Sequence, residues 1–403
     1  MMPDRSILRV LALGTLVVAL ATGGCRNDRD SVPDSGGTRA SGGARPTPPV
    51  AGLVAYSALV SPEDYTYDGG RFDLFLERVP SGVIERLTDH RAAKSINLGG
   101  AIRHPVFSPD GKHVLFLSDY ADSPSDMRQT TTGAAPNQDA FLNIWAVELK
   151  TRSVTPITDT EFGCSLVRCS PDSRKVCAVQ HTALRSFDGD YPPDEIRVWD
   201  ISGGPGRTLV TMPDGVGNLF WSKDGSCIYY EVGDTGDLHS VPVAGGKPSL
   251  VLRGREGRFG YSFSPDRTRV AYVDVDRVIV AQANGAGPET VIRLDRDEHS
   301  ADWPIPRWSP DGGTLAVYER AGAATKLHVY SFPDKTDRII AEWPYPLTDL
   351  TWSRNGCWLI ATVMRAGAWR RDGIVAIRAT DGRTHTLAEP DKETKGIAWF
   401  ETR

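Results

Sequence analysis

From residue 51 onward, apolar residues come in runs of three to five separated by polar turns, and one turn recurs. It reads Phe107-Ser-Pro-Asp-Gly111, Cys169-Ser-Pro-Asp-Ser173, Trp221-Ser-Lys-Asp-Gly225, Phe263-Ser-Pro-Asp-Arg267, Trp308-Ser-Pro-Asp-Gly312 and Trp352-Ser-Arg-Asn-Gly356. An apolar run follows each turn, from Val114–Leu117 in the first to Leu359–Val363 in the last. Such runs are too short for helices and read as strands. The turn explains itself chemically. Pro presets φ, Asp accepts hydrogen bonds from nearby backbone N–H groups, and Gly tolerates the left-handed conformation that reverses the chain. The residue before the turn closes one strand and packs into a core.

Two further strands recur. A third shows as Phe72–Leu76, Asn143–Val147, Ile196–Trp199, Leu238–Val241, Leu327–Tyr330 and Ile374–Ile377, and a fourth as Ile84–Thr88 and Val154–Thr158. Four short strands in a unit of roughly forty to fifty residues make a β-propeller blade. The ends set the blade number. Residues 53–88 supply second, third and fourth strands with no first strand before them, whereas Gly396–Phe400 is a first strand alone. Trp399 stands one repeat length after Trp352. The expectation is an all-β, seven-bladed propeller closed by pairing of the C-terminal strand with the N-terminal blade, which hides both edges. Six blades is the alternative.

The first fifty residues differ. Arg5 and Arg9 precede the apolar run Val10–Ala21, which is too short to span a bilayer. Residues 1–24 therefore read as a signal peptide. Thr22-Gly23-Gly24 ahead of Cys25 resembles a bacterial lipobox, although Thr22 stands where Leu is usual. An ordinary signal-peptide cut with Cys25 incidental is the other reading. Residues 25–50 form a polar, Gly- and Pro-rich linker behind a lipidated Cys25, with too little apolar surface to fold. Residues 51–403 are the propeller.

Composition adds exclusions. The chain of 403 residues has a net charge of −5, so electrostatic binding of nucleic acid is not expected. Its 40 glycines and 28 prolines suit many tight turns. Apart from Cys25, the cysteines Cys164, Cys169, Cys177, Cys227 and Cys357 have no C-x-x-C pair, so a zinc site is unsupported. Most of them read as small buried hydrophobes in strands, with one disulfide within 164–177 as the alternative. The eight histidines lack ligand-like spacing, so neither metal nor cofactor is expected. The recurring Asp residues belong to the turns and not to a ring of reactive carboxylates.

The Ser-Pro-Asp-Gly turn, the aromatic before it and the Leu-Thr or Ile-Thr of the fourth strand resemble the TolB-type β-propeller repeat over about residues 51–403. The resemblance implies a periplasmic or cell-envelope protein. The chain departs from that family in carrying a lipobox-like segment and in showing no N-terminal α/β domain, so the family's role in outer-membrane integrity is not carried over. A Gly-x-Ser-x-Gly elbow is also missing, the nearest approach being Gly260-Tyr-Ser-Phe-Ser264.

The longest insertions, about residues 61–71, 119–140 and 181–194, all fall between second and third strands, on the face shared with blade-to-blade connections. They bring Tyr65, Tyr67, Asp119, Tyr120, Arg185, Asp188, Asp190 and Tyr191. The same face is expected to carry Asp297, His299, Trp343, Tyr345, Trp369 and Arg370. Loops on a rigid scaffold commonly bind, and Tyr, Trp and Arg are usual anchors. The functional expectation is an exported, lipid-anchored monomer that binds a protein or peptide without catalysis. An envelope polysaccharide lyase or hydrolase working at the central channel is the alternative, and small-ligand sensing in the channel a third reading.

Overall fold

The computed structural model describes residues 50–61, 71–89, 102–118, 142–183, 193–213, 215–233, 235–254, 258–295, 304–321, 324–344, 346–365, 371–390 and 394–402. These form twenty-eight strands, β1–β28 in chain order, and contain no helix. The strands group into seven antiparallel four-stranded sheets, the seven blades of a propeller. Six blades use four consecutive strands each. The remaining one has the order β28-β1-β2-β3, with β1 at Gly52–Ser61, β2 at Arg71–Val79, β3 at Val83–Arg86 and β28 at Thr394–Glu401. Leu53 pairs with Phe400, Val54 with Trp399 and Ala55 with Ala398. The seven-bladed closure expected from the chain ends is therefore present, and the six-bladed alternative is excluded. Below, this closing blade is blade 1 and the rest follow in chain order.

First strands of neighbouring blades touch in at least five of the seven seams, which puts these strands nearest the axis. Beyond β28 they are β4 (Ile102–Phe107), β8 (Cys164–Cys169), β12 (Val216–Trp221), β16 (Arg258–Phe263), β20 (Arg307–Trp308) and β24 (Leu347–Trp352). The core is divided into seven apolar clusters, one between each pair of neighbouring sheets, including the pair of blades 7 and 1. The smallest lies between blades 4 and 5, around Leu238, Tyr261, Val270 and Tyr272.

The turn chemistry is as the residue types require. In each of the six turns the Ser hydroxyl donates to the Asp or Asn side-chain oxygen at 2.6–2.7 Å. The same oxygen accepts a backbone N–H two residues on, as Asp224 does from Ser226 at 3.1 Å. The Ser hydroxyl oxygen in turn accepts the N–H that opens the second strand, as Ser222 does from Cys227 at 2.9 Å. These bonds pull the carboxyls of Asp224 and Asp266 down to about 2, the Ser hydroxyl being the main cause. Gly111, Gly225, Gly312 and Gly356 take φ near +70°, and Ser173 and Arg267 hold that strained position without being glycine.

The tryptophans that precede the turns clasp neighbouring blades. The Trp221 indole N–H donates to the Arg168 carbonyl at 3.2 Å, Trp308 to Ser262 at 3.0 Å, and Trp352 to Arg307 at 2.9 Å. Each acceptor precedes the turn of the preceding blade. The aromatic thus fills a seam and satisfies its one polar atom there.

Cys164, Cys169 and Cys177 are buried free thiols, which overturns the disulfide alternative within 164–177. They pack in strands as small apolar groups, and burial pushes Cys164 up to about 11 and Cys169 up to about 12.

Candidate functional site: the loop face and the polar axis

Each first strand runs toward its Ser-Pro-Asp-Gly turn, so the second strand returns to the opposite face. Connections 62–70, 119–142 and 181–193, between second and third strands of blades 1, 2 and 3, therefore leave and re-enter on that opposite face. In blade 5 the same joint is a tight reversal through Val275, at φ 58°, and Asp276. The long connections cluster on three successive blades.

Tyr65, Tyr67, Asp119, Tyr120, Arg185, Asp188, Asp190, Tyr191, Asp297, His299, Tyr345, Trp369 and Arg370 lie outside the described residues, as does Cys25. Trp343 is described. It ends β23 (Thr336–Trp343), half-buried and packed against the core between blades 6 and 7. Its ring serves that seam, which limits what it can offer a partner.

Beneath the loop face, three polar groups close the upper ends of the blades. His181 meets Asp194 at 2.8 Å, at the base of the 184–192 segment. In blade 6 the buried His328 bridges Glu319 at 3.1 Å and Asp337 at 3.0 Å. Burial pulls the His328 imidazole down, but hydrogen bonds to Asp337 and Glu319 win and raise it to about 9. Glu319 also accepts from the Asp295 N–H, tying the blade-5 exit to blade 6. These histidines are satisfied by carboxylates, in line with their reading as core-satisfied groups. Glu231, at the end of β13 (Cys227–Val232), accepts the Tyr261 N–H across the seam at 3.1 Å and is bonded by Asn218 and the Gly260 N–H. Burial is the dominant influence and lifts its carboxyl to about 7.

The axis is the second feature. Nearly every first strand carries a bulge three residues before its turn aromatic or beside it. His104 and Leu166 adopt positive φ there, of 50° and 53°, where Gly260 and Gly396 do so in other blades. Asn218 and Asp349 instead cap the bulge by accepting the next residue's N–H at 2.8 Å. Arg307, immediately before Trp308, donates from Nε to the Leu350 carbonyl at 2.8 Å and from an Nη to Asp349 at 3.0 Å. Arg168 holds the same repeat position on β8, is 4% exposed, and donates to the Val167 carbonyl at 2.9 Å. Burial pulls its guanidinium down to about 10, while Asp349 supports its charge and Arg307 opposes it. Burial likewise raises Asp349, against the pull of Arg307. The sequence reading missed Arg168, Arg307, Asp349 and Glu231. A signal existed for the arginines, since Arg168 and Arg307 occupy the slot that holds Val106, Phe220, Ser262, Thr351 and Ala398 in the other repeats.

No family model matches the chain. An uncharacterized protein of Agrobacterium fabrum is 30% identical over 177 residues, 42% of this chain and 50% of that protein. An uncharacterized peptidase of Bacillus subtilis is 32% identical over 114 residues, 25% of this chain and 16% of the peptidase. The match thus spans half the length of the first relative and a small part of the second. Among solved structures, the β-propeller domain of the Trilobed protease of Pyrococcus furiosus aligns with a TM-score of 0.53 at 13% identity, covering 84% of this chain and 95% of that one. A prolyl endopeptidase aligns at 0.56 and 15%, covering 84% and 50%, and an oligogalacturonate lyase of Vibrio parahaemolyticus at 0.52 and 12%, covering 86% and 87%. At such identities these likenesses concern the fold. The chain is a seven-bladed β-propeller.

Proposed function

We propose that this protein is a non-catalytic binding propeller of the bacterial cell envelope. It is exported by residues 1–24, anchored through a lipid on Cys25, and held off the membrane by the 25–50 linker. Its partner is a protein or peptide, taken on the face that bears the second-to-third-strand loops. The observation that carries this reading is that the three longest second-to-third-strand connections, 62–70, 119–142 and 181–193, share one face of the successive blades 1–3. A closed ring with a core in every seam is a rigid platform for such loops, and rigid platforms carrying long loops favour recognition.

The test is site-specific photo-cross-linking in cells. A cross-linking residue at Tyr65, Tyr120 or Tyr191 is expected to capture one discrete partner, and the same residue at Lys112 or Lys223, in the turns of the opposite face, is not. Equal capture from both faces, or none from the loops, refutes the proposal. Fatty-acid labelling of the native chain that is lost in Cys25→Ala checks the anchor. The polar axis favours a second reading, an envelope lyase or hydrolase acting on polysaccharide at the channel. Release of shortened or unsaturated products from envelope polysaccharide by the purified chain would establish it.

A further inference from the structure

We propose that the face bearing the Ser-Pro-Asp-Gly turns docks reversibly on an anionic lipid membrane. The ring is polarised by its own topology. The connections of the turn face carry ten lysines and arginines against seven aspartates, whereas those of the opposite face carry nine basic against twenty-four acidic residues. An anionic surface therefore attracts one face and repels the other. The same face holds the point where the N-terminal segment joins the ring. Gly52 pairs with Val79 and Glu401, at the turn-face ends of β2 and β28, and the Thr402 N–H donates to the Ala51 carbonyl at 3.1 Å. A polar chain the length of residues 25–49 averages roughly 25–30 Å end to end, so an anchor at its start keeps this face within reach of the membrane.

The rim of this face sets exposed apolar residues beside basic ones. Val83 and Ile84, 57% and 55% exposed, follow the Pro80–Gly82 reversal of blade 1, and Leu250, 44% exposed, stands two residues past the 243–248 hairpin of blade 4. Of the four large apolar residues exposed among the described residues, three thus lie within two residues of a turn-face hairpin. The exposed Arg78 precedes the first pair, and the exposed Lys247 precedes Leu250. Arg152 donates from Nε and an Nη to Glu85 at 2.6 Å each, which locks the blade-2 hairpin beside β3 and brings the exposed Lys150 to the same patch. Arg78, Lys150 and Lys247 make no ion pair among the described residues. Basic groups beside aliphatic tips suit a headgroup region, where the cations meet lipid phosphates and the tips enter the acyl boundary. Blades 1 and 4 stand nearly opposite in the ring, so the two points hold the face level against a flat surface.

The test uses the chain from residue 25 with Cys25→Ala, so that no lipid contributes. Flotation is measured with vesicles of phosphatidylcholine alone and of phosphatidylcholine with phosphatidylglycerol. Binding to the phosphatidylglycerol vesicles is expected, weakening steeply toward about 0.3 M salt, with little on phosphatidylcholine. Lys150→Glu should weaken it about fivefold or more, the scale of one basic group at a charged surface. Val83→Ser with Ile84→Ser should weaken it roughly tenfold. Arg253→Glu makes the same change of net charge at an exposed site of the opposite face and should leave it within about twofold. The replaced side chains are all exposed, and an unchanged urea midpoint shows that each variant folds. No binding to phosphatidylglycerol vesicles, equal binding to both vesicles, unchanged affinity in the patch variants, or equal loss in Lys150→Glu and Arg253→Glu overturns the proposal. Self-association abolished by Val83→Ser with Ile84→Ser, without vesicle binding, assigns the patch to contact between copies and overturns it as well. The inference rests on the anchored reading only for the tether, and the vesicle test dispenses with the lipid, so the two fail separately.

Discussion

Replacing Glu231 by Gln should stabilise the protein above neutral pH and leave it little changed in acid. Glu231 is 6% exposed and sits at the seam between blades 4 and 5, whose apolar core is the smallest of the seven. Burial raises its carboxyl from 4.5 to about 7, so the native state binds the proton more tightly than the unfolded chain does. The sign follows from linkage. Stability is greatest below 4.5, declines as the pH rises toward 7, and stays low above it. At about 1.4 kcal/mol for each pH unit of displacement, the native state loses ~3 kcal/mol by pH 8. That is a substantial share of the 5–15 kcal/mol or so that keeps a domain folded. Gln keeps an oxygen for the Tyr261 N–H, held at 3.1 Å in the native chain, and removes the charge. Urea unfolding of both proteins, followed by tryptophan fluorescence from pH 4.5 to 8.5, should give curves that separate progressively through this window. Curves that run parallel, or a variant weaker than the native chain at pH 8, would show that the carboxylate is not ionised at a cost and would refute the reasoning.

His328→Gln should behave in the opposite sense. The raised imidazole stabilises below 6.5 and loses that contribution through about 9, so the variant should lose more stability at pH 6 than at pH 10 in the same urea assay. Trp352→Phe keeps most of the seam packing but orphans the Arg307 carbonyl, for a loss of about 1 kcal/mol, whereas Trp352→Ala should cost ~3–5 kcal/mol, both read as shifts in urea midpoint. Deleting residues 394–403 removes the inner strand of blade 1 and bares the β1 edge, so light scattering should report association of the shortened chain where the intact chain stays monodisperse. Lys335→Gly relieves an exposed residue held at φ 52° and should raise the thermal midpoint, by up to about 1 kcal/mol in stability.

The fold was legible because its instructions are local and repeated. A Ser-Pro-Asp-Gly turn dictates its own hydrogen bonds wherever it stands, and six copies with a first strand left over at Trp399 leave one way to close the ring. The third strand of blade 5, Arg277–Gln282, was not picked out because the reversal before it is so short that two strands read as a single apolar run. The axis was much less legible. Arg307 and Asp349 are far apart in the chain and meet only because blades 6 and 7 are neighbours. Seen singly, each is an ordinary charged residue near a turn. Glu231 was hidden for a related reason, since its burial depends on the bulge at Gly260 in the next blade. The loop-face residues could be placed on a side of the ring by counting strands, but their chemistry depends on how the connections fold back, which strand order does not determine.

The pairing of Val54 with Trp399 also imposes an order of events. The first strand of the ring to be made, β1, finds this partner only after the six other blades have been made. Until then the blade that holds the wheel together is incomplete, and contacts this distant in the chain are slow to form. Assembly should therefore end, rather than begin, at the N-terminal sheet. A nascent chain would carry an open template for misassembly, and would depend on being shielded until its final strand arrives.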